Sequence, residues 1–462
     1  MSDAAGADAL FTTPQMAAIW SAEALVARML AFEAALAHAE AAAGIIPHAA
    51  ADSIAAACRP DLYDAAEVWR EAAASATPAI PLVRMLTARV PSEARGYVHW
   101  GATSQDTLDT ALVLQMRAGL DLLVARLLAV GDLLAALATR HRDTPMAGRT
   151  LMQQAVPITF GLKAARWLAL VTRQAQRLHE MRARVAVVEL GGAAGTLAAL
   201  GADGPRVTEL LAAELGLAVP DLPWHAERDR VAEVAAGLGV TAGAMAKIAG
   251  DLVLLAQSEV GEASPGDVGK GGSSAMPQKR NPTDAAMARA AARLAIGIVP
   301  VVLGAMDGEH ERAAGAWQAE WAALPALFGY TAGAVERVHA ALAGLRVDAA
   351  RMGANLDASH GQIMAEALTM ALAPHIGRDA AYSLVRDLTA HATAEGTHLR
   401  DAALADERIR AALSPDAIAR AFDPTAYLGS TGIFIDRALA AFTARRTSLD
   451  APDMAAGETE HG

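Results

Sequence analysis

Residues 106–140 read DTLDTALVLQMRAGLDLLVARLLAVGDLLAALATR, and this stretch decides the fold class. Large apolar residues recur in it at spacings of three and four positions, at Leu112, Met116, Leu120, Leu123, Leu127, Val130 and Leu134. That spacing places them on one face of an α-helix. The pattern predicts a single helix of about 30 residues, with Asp106 or Thr107 as its N-cap.

Comparable apolar patterns predict long helices over residues 159–187, 228–262 and 282–303. The composition agrees, because alanine is abundant and only 4% of the residues are aromatic. Alanine favours helices, whereas aromatic residues favour strands. The sequence therefore predicts an all-α fold built on a bundle of long central helices.

The chain has 462 residues, and at about 150 residues per domain this length predicts roughly three domains. Residues 1–105 are predicted to form an N-terminal helical domain of short helices separated by prolines. Residues 106–345 are predicted to form the central long-helix bundle. Residues 346–448 are predicted to form a C-terminal helical domain. The polar residues 449–462 lack periodicity and are predicted to be a disordered tail.

The helix predicted over residues 228–262 is apolar on more than one side, at Leu238 and along Leu252–Leu255. A helix that is apolar all round is buried. Burial against other copies of the chain would make the protein an oligomer. A thick bundle within a single chain would bury the same surface, and both interpretations stay open here.

Charge and cysteine content restrict the partners and the compartment. The formal net charge is −12, which disfavours nucleic acid and anionic membranes as partners. The apolar stretches 294–306 and 321–335 each contain a proline, so no membrane span is predicted. The single cysteine, Cys58, and the absence of a basic, apolar leader predict a soluble cytoplasmic protein.

The segment Gly272–Pro282 combines glycines, two serines and cations. Ser273 and Ser274 supply hydroxyl groups, and the cations are Lys270, Lys279 and Arg280. Nearby cations can lower the pKa of a hydroxyl or hold a carboxylate. A flexible surface linker that ends in a helix cap at Asn281 explains the same composition, so the residues alone leave two interpretations.

Two further segments join polar side chains to predicted helix starts. Thr103 and Ser104 can donate to an anion at the mouth of a helix, or one of them can act as an N-cap. Arg149, Gln153 and Gln154 precede a helix predicted to begin near Pro157, and they form either a ligand-binding segment or a polar loop.

Three single residues complete the candidates. Arg312 can clamp a carboxylate or belong to a solvated charge cluster. His99 and His225 can transfer protons, and a structural role is the alternative for an isolated histidine such as His225. Zinc-binding His-Glu-x-x-His spacing, a P-loop and a dinucleotide-binding fingerprint are absent from the sequence. The sequence therefore predicts an enzyme without a metal or another cofactor.

The string Gly-Ser-Ser-Ala-Met-Pro-Gln-Lys-Arg-Asn-Pro at residues 272–282 resembles the signature loop of the fumarase/aspartase superfamily. The segments around Thr103-Ser104 and Arg149–Pro157 follow the order of that superfamily's other active-site regions, and the resemblance covers residues 10–445. It implies three helical domains, a five-helix central bundle and a homotetramer whose active sites form where three subunits meet. It implies a small polycarboxylate as the substrate.

Within the superfamily the chain resembles the carboxymuconate cycloisomerase branch, through residues 97–106, 191–201, 223–230 and 309–325. Many lyases of the superfamily pair a histidine of the third segment with a glutamate beyond the serine loop. Here these positions hold Leu151 or Gln154, and Ala286. The loss of the pair favours the cycloisomerase branch, although that branch often has Trp and His where this chain has Leu151 and Gln154.

The implied reaction is an intramolecular addition of a carboxylate to a double bond. The resemblance implies that Ser273 carries the proton and that His99 and His225 are further acid–base groups. The substrate ligands that it implies are Thr103, Ser104, Arg149, Gln153, Ser274, Lys279, Asn281 and Arg312. Two alternatives remain. One is a lyase that releases fumarate from a substituted succinate such as adenylosuccinate, argininosuccinate or nitrosuccinate. The other is a non-catalytic oligomer of the same fold.

Overall fold

The computed structural model describes residues 5–266 and 271–450. The helices run as α1 (Ala5–Asp8), α2 (Pro14–Ile19), α3 (Ala22–Ala42), α4 (His48–Ala57), α5 (Ala65–Ser75), α6 (Ala79–Arg89), α7 (Ser104–Arg140), α8 (Phe160–Val185), α9 (Gly204–Leu215), α10 (Asp229–Leu255), α11 (Thr283–Gly304), α12 (Ala316–Ala343), α13 (Ala349–Asp357), α14 (Ala365–Ile376), α15 (Arg378–Glu395), α16 (Leu399–Ala405), α17 (Glu407–Ala412), α18 (Pro415–Ala421) and α19 (Thr431–Asp450). Short 3-10 helices span Pro60–Leu62, Arg95–Tyr97, Gly201–Asp203, Ala305–Asp307, Gln362–Met364 and Pro424–Tyr427.

Four short strands accompany the helices: β1 (Pro145–Thr150), β2 (Gln153–Thr159), β3 (Ala263–Pro265) and β4 (Leu345–Val347). They form two antiparallel pairs, β1 with β2 and β3 with β4. The prediction of an all-α fold is confirmed, since within residues 5–266 and 271–450 these two small ribbons are the only sheets. Lys270 and residues 451–462, which belong to the predicted cation set and tail, lie outside the described residues.

The single helix of about 30 residues predicted from the stripe Leu112–Leu134 is confirmed as α7, which has 37 residues. All seven residues of its apolar stripe are at most 9% exposed. Its predicted start was wrong, because α7 begins at Ser104 and the Thr103 carbonyl already accepts the amides of Asp106 and Thr107. Thr103 therefore occupies the N-cap position. The Asp106 side chain reaches back to the Thr103 amide, as an acid in the first turn commonly does.

The segment around Arg149 differs from its prediction. Instead of a loop leading into a helix at Pro157, β1 and β2 form a hairpin, in which Thr150 pairs with Gln153. Leu151 and Met152 form its two-residue tip with φ of 48° and 67°. Helix α8 starts only at Phe160. The hairpin was missed because neither tip residue is a glycine or asparagine, the usual signal for such a turn.

The prediction that prolines interrupt the two apolar stretches is wrong. Pro300 lies inside α11 and Pro325 inside α12. A proline costs a helix one backbone hydrogen bond, which a long packed helix can tolerate. By length and composition alone, α7, α10 and residues 283–307 could each span a membrane. Only 28% of the most apolar stretch within residues 283–307 is buried inside the chain, so most of this apolar surface is exposed.

The chain divides into two compact units. The first comprises residues 1–126, 174–246 and 287–336, and the second comprises residues 127–173, 247–286 and those from 337 onward. A core in the first unit includes Leu30, Val68, Leu82 and Trp317. A core in the second unit includes Leu368, Leu388, Leu399 and Ile418. The division into three domains at residues 105, 345 and 448 stays a prediction.

Candidate active site

Asp106 joins three chain segments at the N-terminal end of α7. Its Oδ2 accepts the backbone amides of Thr103 at 2.8 Å and Gly192 at 3.0 Å. Its Oδ1 accepts the amide of Gly191 at 2.9 Å and lies 2.6 Å from Nε2 of His225. Because a carboxylate can only accept, His225 donates this bond. One buried carboxylate thus fixes the Thr103-Ser104 turn, the glycine loop and the segment before α10.

Glycine is required at position 191 by the close approach of His225. A Cβ atom on Gly191 would lie 2.8 Å from Cε1 of the His225 ring. Any larger residue would displace the imidazole from Asp106. The glycine-rich segment that begins at Gly191 therefore serves here as a close packing partner for the histidine.

His225 is itself only 3% exposed. Besides Asp106, its Nε2 lies 3.3 Å from Oε1 of Glu189. Burial, reinforced by the charges of Asp109 and Asp106, raises the pKa of Glu189 to about 9, so this carboxyl group is protonated at neutral pH. The predicted role of His225 as an acid–base group stays a prediction, and its enclosure between two carboxyl groups favours a structural role.

Asp106, Glu189 and His225 place their polar atoms within 4.8 Å of one another, and these are residue types that bind metals. However, the two Asp106 oxygens already receive four N–H donors. A carboxylate has about four lone-pair positions in total. The hydrogen bonds therefore leave Asp106 little capacity to bind an ion.

A buried ion-pair group supports the base of this network. The Arg228 guanidinium donates to both oxygens of Asp109 at 2.7 and 3.0 Å, and to both oxygens of Glu320 at 3.0 and 2.6 Å. Trp317 Nε1 and Gln105 Nε2 also donate to Asp109, at 3.0 and 2.9 Å. Removing one member of such a buried group leaves an uncompensated charge, which costs about 3–5 kcal/mol.

Arg312 reaches the same network from the segment before α12. Its Nε donates to Oε1 of Gln105 at 3.2 Å, and Nη2 donates to the Gly192 carbonyl at 3.3 Å. Both acceptors are neutral and the side chain is exposed, so its positive charge remains available to an anion. The structure thereby brings Thr103, Ser104 and Arg312 to one end of α7, and their roles as carboxylate ligands stay predictions.

His99 lies beside this region and is held by an acid that the sequence analysis did not identify. Its Nδ1 is 2.8 Å from Oε1 of Glu33, whose side chain is fully buried in α3. Thr107 donates to the same oxygen at 2.9 Å. Burial lowers the pKa of His99, but the charges of Glu33 and Asp106 outweigh it and leave a raised pKa.

The second unit contains the predicted residues of the β1–β2 hairpin. Arg149 forms a two-bond ion pair with the buried Glu262, at 2.8 and 2.7 Å. Asn355 donates to Glu262 at 2.8 Å, and Gln154 donates to the Asn355 carbonyl at 3.1 Å. Gln153 is exposed. Arg149 therefore has a structural partner in this chain, and its predicted contact with substrate stays a prediction.

The serine loop of the second unit is ordered by its own backbone. The Asn281 amide donates to the Gly271 carbonyl at 2.8 Å, and a Cβ on Gly271 would lie 2.1 Å from the Asn281 carbonyl oxygen. Ser273 Oγ accepts the amides of Ala275 and Met276 at 3.3 and 3.1 Å. Ser273 is half-buried, whereas Ser274 and Lys279 are exposed.

A cavity of about 520 Å³ opens between this loop and the end of α10. Met276, Lys279 and Asn281 line it from the loop, and Gln257 and Ser258 line it from the segment after α10. With Gln278 and Arg280, which also line it, the cavity places two cations, three side-chain amides and a hydroxyl around a space large enough for a small carboxylate. This is consistent with the carboxylate-binding roles predicted for Lys279 and Asn281.

Four acids with central roles, Glu33, Asp106, Glu189 and Glu262, were missed or only named as helix caps. Glu33 lies 66 residues from its partner His99, and Glu262 lies 113 residues from Arg149. No local spacing reveals such pairs. One available signal was Asp106 and Asp109, three residues apart at the start of a helix with a long apolar stripe, where buried acids require partners.

Comparison with known proteins identifies the class of this protein. A family model described as Lyase matches residues 10–297, and one described as the adenylosuccinate lyase C-terminus matches residues 361–438. The first match spans more than half of the chain. The chain therefore belongs to this lyase family, the fumarase/aspartase superfamily.

Its relatives are similar along almost their whole length. The 3-carboxy-cis,cis-muconate cycloisomerase of Pseudomonas aeruginosa is 47% identical over 437 residues, 94% of this chain and 95% of that protein. The crystal structure of the 3-carboxy-cis,cis-muconate lactonizing enzyme of Pseudomonas putida has a TM-score of 0.90 at 42% identity and covers 95% of this chain and 99% of that one. Nitrosuccinate lyase of Streptomyces davaonensis is 42% identical over 439 residues, with 92% of each chain covered.

Proposed function

We propose that this protein is a cycloisomerase that interconverts 3-carboxy-cis,cis-muconate and 4-carboxymuconolactone, as an intramolecular lyase in aromatic compound degradation by the β-ketoadipate route. The observation that carries the proposal is the 47% identity to a protein of that activity across 94% of the chain. The missing His/Glu pair supports it, because this loss favours the cycloisomerase branch, and the complete Ser273–Asn281 loop keeps the signature of the superfamily.

The reaction conserves every atom of the substrate. One carboxylate oxygen forms a C–O bond to a carbon of the conjugated diene, and the π electrons move to the neighbouring carbon, which lies next to another carboxylate. A proton then adds to that carbon. The intermediate holds two negative charges on one carboxylate, so fixed cations and hydrogen-bond donors in the site lower the barrier.

Ser273 carries the proton in this proposal, and Lys279, Asn281 and Ser274 hold the carboxylate that gains charge. Thr103 and Ser104 hold a second carboxylate at the start of α7. Arg312 holds the third carboxylate. Its two hydrogen-bond acceptors are neutral, so its positive charge is available for this role. No step in this sequence requires a metal or another cofactor, and a chain of net charge −12 needs these local cations to bind a tricarboxylate.

We further propose a homotetramer with shared active sites. Its support is the uncovered apolar surface of α10 and α11, where Val240, Leu294, Ile296, Val301 and Leu303 are 40–51% exposed. Large apolar side chains exposed together on long helices are typical of an interface. Other copies of the chain, rather than lipid, are the proposed cover, and the cytoplasm is the proposed compartment. Sedimentation of purified protein without detergent should give four chains per particle; a monodisperse monomer would contradict this.

The second candidate function is a lyase that releases fumarate, which the 42% identity to nitrosuccinate lyase favours. The two functions differ in their products. Purified protein should be incubated separately with 3-carboxy-cis,cis-muconate, nitrosuccinate, adenylosuccinate and argininosuccinate, with fumarate and lactone separated by chromatography. We expect lactone from the first substrate and no fumarate from the others. Fumarate formation with no lactone would replace the proposal with this alternative.

A further inference from the structure

One edge of the Arg312 guanidinium is held by two neutral groups of the same compact unit. Its Nε donates to Oε1 of Gln105 at 3.2 Å, and its Nη2 donates to the Gly192 carbonyl at 3.3 Å. Nε and Nη2 lie on the same side of the planar guanidinium, which has five N–H donors in a fixed arrangement. The three other N–H groups, two on Nη1 and one on Nη2, have no acceptor among the described residues. The end of the guanidinium is therefore open to a ligand.

The side-chain amide of Gln105 is fixed in one orientation by its own partners. Gln105 is 1% exposed, and its Nε2 donates to Oδ2 of Asp109 at 2.9 Å and to the His225 carbonyl at 2.8 Å. A carboxylate and a carbonyl can only accept. Exchanging the amide nitrogen and oxygen would place the oxygen against two acceptors and the NH₂ group against the Arg312 donor. The buried partners therefore keep Oε1 of Gln105 directed at Arg312.

The neutral charge of Gln105 is as important as its orientation. A carboxylate at this position would form an ion pair with Arg312 and cancel the charge that a bound anion requires. An amide accepts the same hydrogen bond and leaves the charge in place. Arginine has large rotamer entropy, and restricting it before a ligand binds reduces the entropy lost on binding. The contacts to Gln105 and Gly192 thus prepare Arg312 for an anion without neutralising it.

We propose that Gln105 is a positioning residue that sets the plane of the Arg312 guanidinium, so that Nη1 and Nη2 together bind one substrate carboxylate. The two outward N–H groups at the end of a guanidinium are parallel, and they match the two oxygens of a carboxylate. The inference rests on the proposed function, in which Arg312 is a substrate ligand. It adds the residue that orients Arg312 and the two-bond form of the contact.

The decisive variant is Gln105→Met, which keeps an unbranched side chain of similar length and removes the acceptor for Arg312. Gln105→Asn is the second variant, because it keeps an amide and withdraws its oxygen by one methylene. The matched control is Gln115→Met, at a buried glutamine of the same helix that donates to the Ile19 carbonyl at 2.9 Å. Each protein should be assayed for KM and kcat, after circular dichroism and sedimentation show that it is folded and assembled.

We expect Gln105→Met and Gln105→Asn to raise KM about threefold to tenfold, the range for loss of one neutral hydrogen bond, with little change in kcat. Gln115→Met should keep the wild-type KM and kcat.

Variants of Arg312 test whether Gln105 acts through it. Arg312→Met should raise KM about tenfold to a hundredfold, because a charged hydrogen-bonding group is lost. Arg312→Lys should show most of that rise, since an ammonium keeps the charge but lacks the planar pair of donors. Adding Gln105→Met to Arg312→Met should raise KM no further, because both changes remove one function.

Three results would overturn the inference. One is a folded Gln105→Met or Gln105→Asn enzyme with the wild-type KM. Another is a loss that is equally large with and without Arg312, which would give Gln105 a structural role through Asp109 and His225. The third is a wild-type KM in Arg312→Lys, which would mean that charge alone is sufficient and needs no orienting residue.

Failure of the proposed function is a separate result. A wild-type enzyme that releases fumarate and forms no lactone would refute the cycloisomerase proposal. The same variants would then be compared with the fumarate-releasing substrate, and the KM pattern would decide the role of Gln105. A folded, assembled wild-type protein that turns over none of these carboxylates would refute both.

Discussion

The carboxylate of Asp106 lies 2.6 Å from Nε2 of His225, and both side chains are buried. The same carboxylate receives three backbone amides, from Thr103, Gly191 and Gly192. It therefore determines the positions of segments that are far apart in the sequence. The Thr103-Ser104 turn and the loop that contacts Arg312 both depend on it, although Asp106 is not placed in contact with the substrate.

Replacing Asp106 by Asn tests this arrangement. An amide has an NH₂ group where the carboxylate has a second acceptor, so at least one buried N–H donor of the network loses its partner. Each such loss costs about 1–3 kcal/mol. We expect a clearly lower Tm together with a reduced kcat, measured by scanning calorimetry and turnover. Asp52→Asn, at an exposed acid on α4, is the control. An Asp106→Asn protein with wild-type Tm would show that the network carries little energy.

Replacing Ser273 by Ala should abolish turnover while leaving the assembly intact, because the proposed proton carrier is lost. Ala also removes the acceptor for the amides of Ala275 and Met276, so Ser273→Asn serves as the matched variant. Asn can accept those amides but cannot carry the proton, and it should be equally inactive. If either folded variant kept more than about a tenth of wild-type turnover, roughly 1.4 kcal/mol of barrier, Ser273 would not be the carrier.

The two residues at the tip of the β1–β2 hairpin have strained backbone conformations. We expect this strain to lower the stability of the protein and to be needed for its activity. Leu151 and Met152 are 97% and 66% exposed and both have positive φ. A two-residue turn of this geometry favours Asn-Gly. Changing both residues to Asn-Gly should raise Tm, relieving roughly 1 kcal/mol or more of strain. Since this segment is a proposed site region, kcat should fall. A lower Tm would contradict the strain, and an unchanged kcat would remove the tip from the site.

Stability should depend on pH through Glu40. Burial, with the nearby Glu33 charge, raises its pKa from 4.5 to about 9, and neither carboxyl oxygen has a partner among the described residues. The folded protein thus binds this proton more tightly than the unfolded chain. Its contribution to stability is complete below pH 4.5 and is lost as pH rises towards about 9.

Glu40→Gln removes that proton linkage. Its Tm should match wild type near pH 4.5 and exceed it increasingly towards pH 9, as measured by scanning fluorimetry across that range. Glu23→Gln, at an exposed position of the same helix, should follow the wild-type curve. Parallel curves for Glu40→Gln and wild type would mean that Glu40 is ionised in the folded protein.

Patterns in the sequence predicted those elements of the fold that depend on interactions between residues close together in the chain. The apolar stripe predicted α7 because side chains spaced three and four apart share a helix face. The β1–β2 hairpin was not predictable, since Leu151 and Met152 lack turn-forming chemistry and the pairing of Thr150 with Gln153 depends on surrounding contacts. The prolines misled for a different reason: α11 continues through Pro300, because a long helix can lose one backbone hydrogen bond without ending.

The site residues also fall into two groups, those that the sequence could identify and those that it could not. Ser273, Lys279 and Asn281 are adjacent in sequence, so a motif could identify them. The buried acids that position the site residues are far from their partners in the sequence. Glu33 contacts His99, and Glu262 contacts Arg149, only after folding. Spacing in the sequence carries no information about such pairs. A prediction that lists candidate histidines therefore cannot say which one an acid orients.

The central claim is that this lyase closes a lactone ring on a carboxylated muconate. The most direct measurement is the ultraviolet absorbance of the conjugated diene of 3-carboxy-cis,cis-muconate after addition of the purified protein. We expect rapid loss of that absorbance, with proton NMR showing 4-carboxymuconolactone in equal molar amount and no fumarate. Persistence of the diene absorbance in the presence of folded, assembled protein would contradict it.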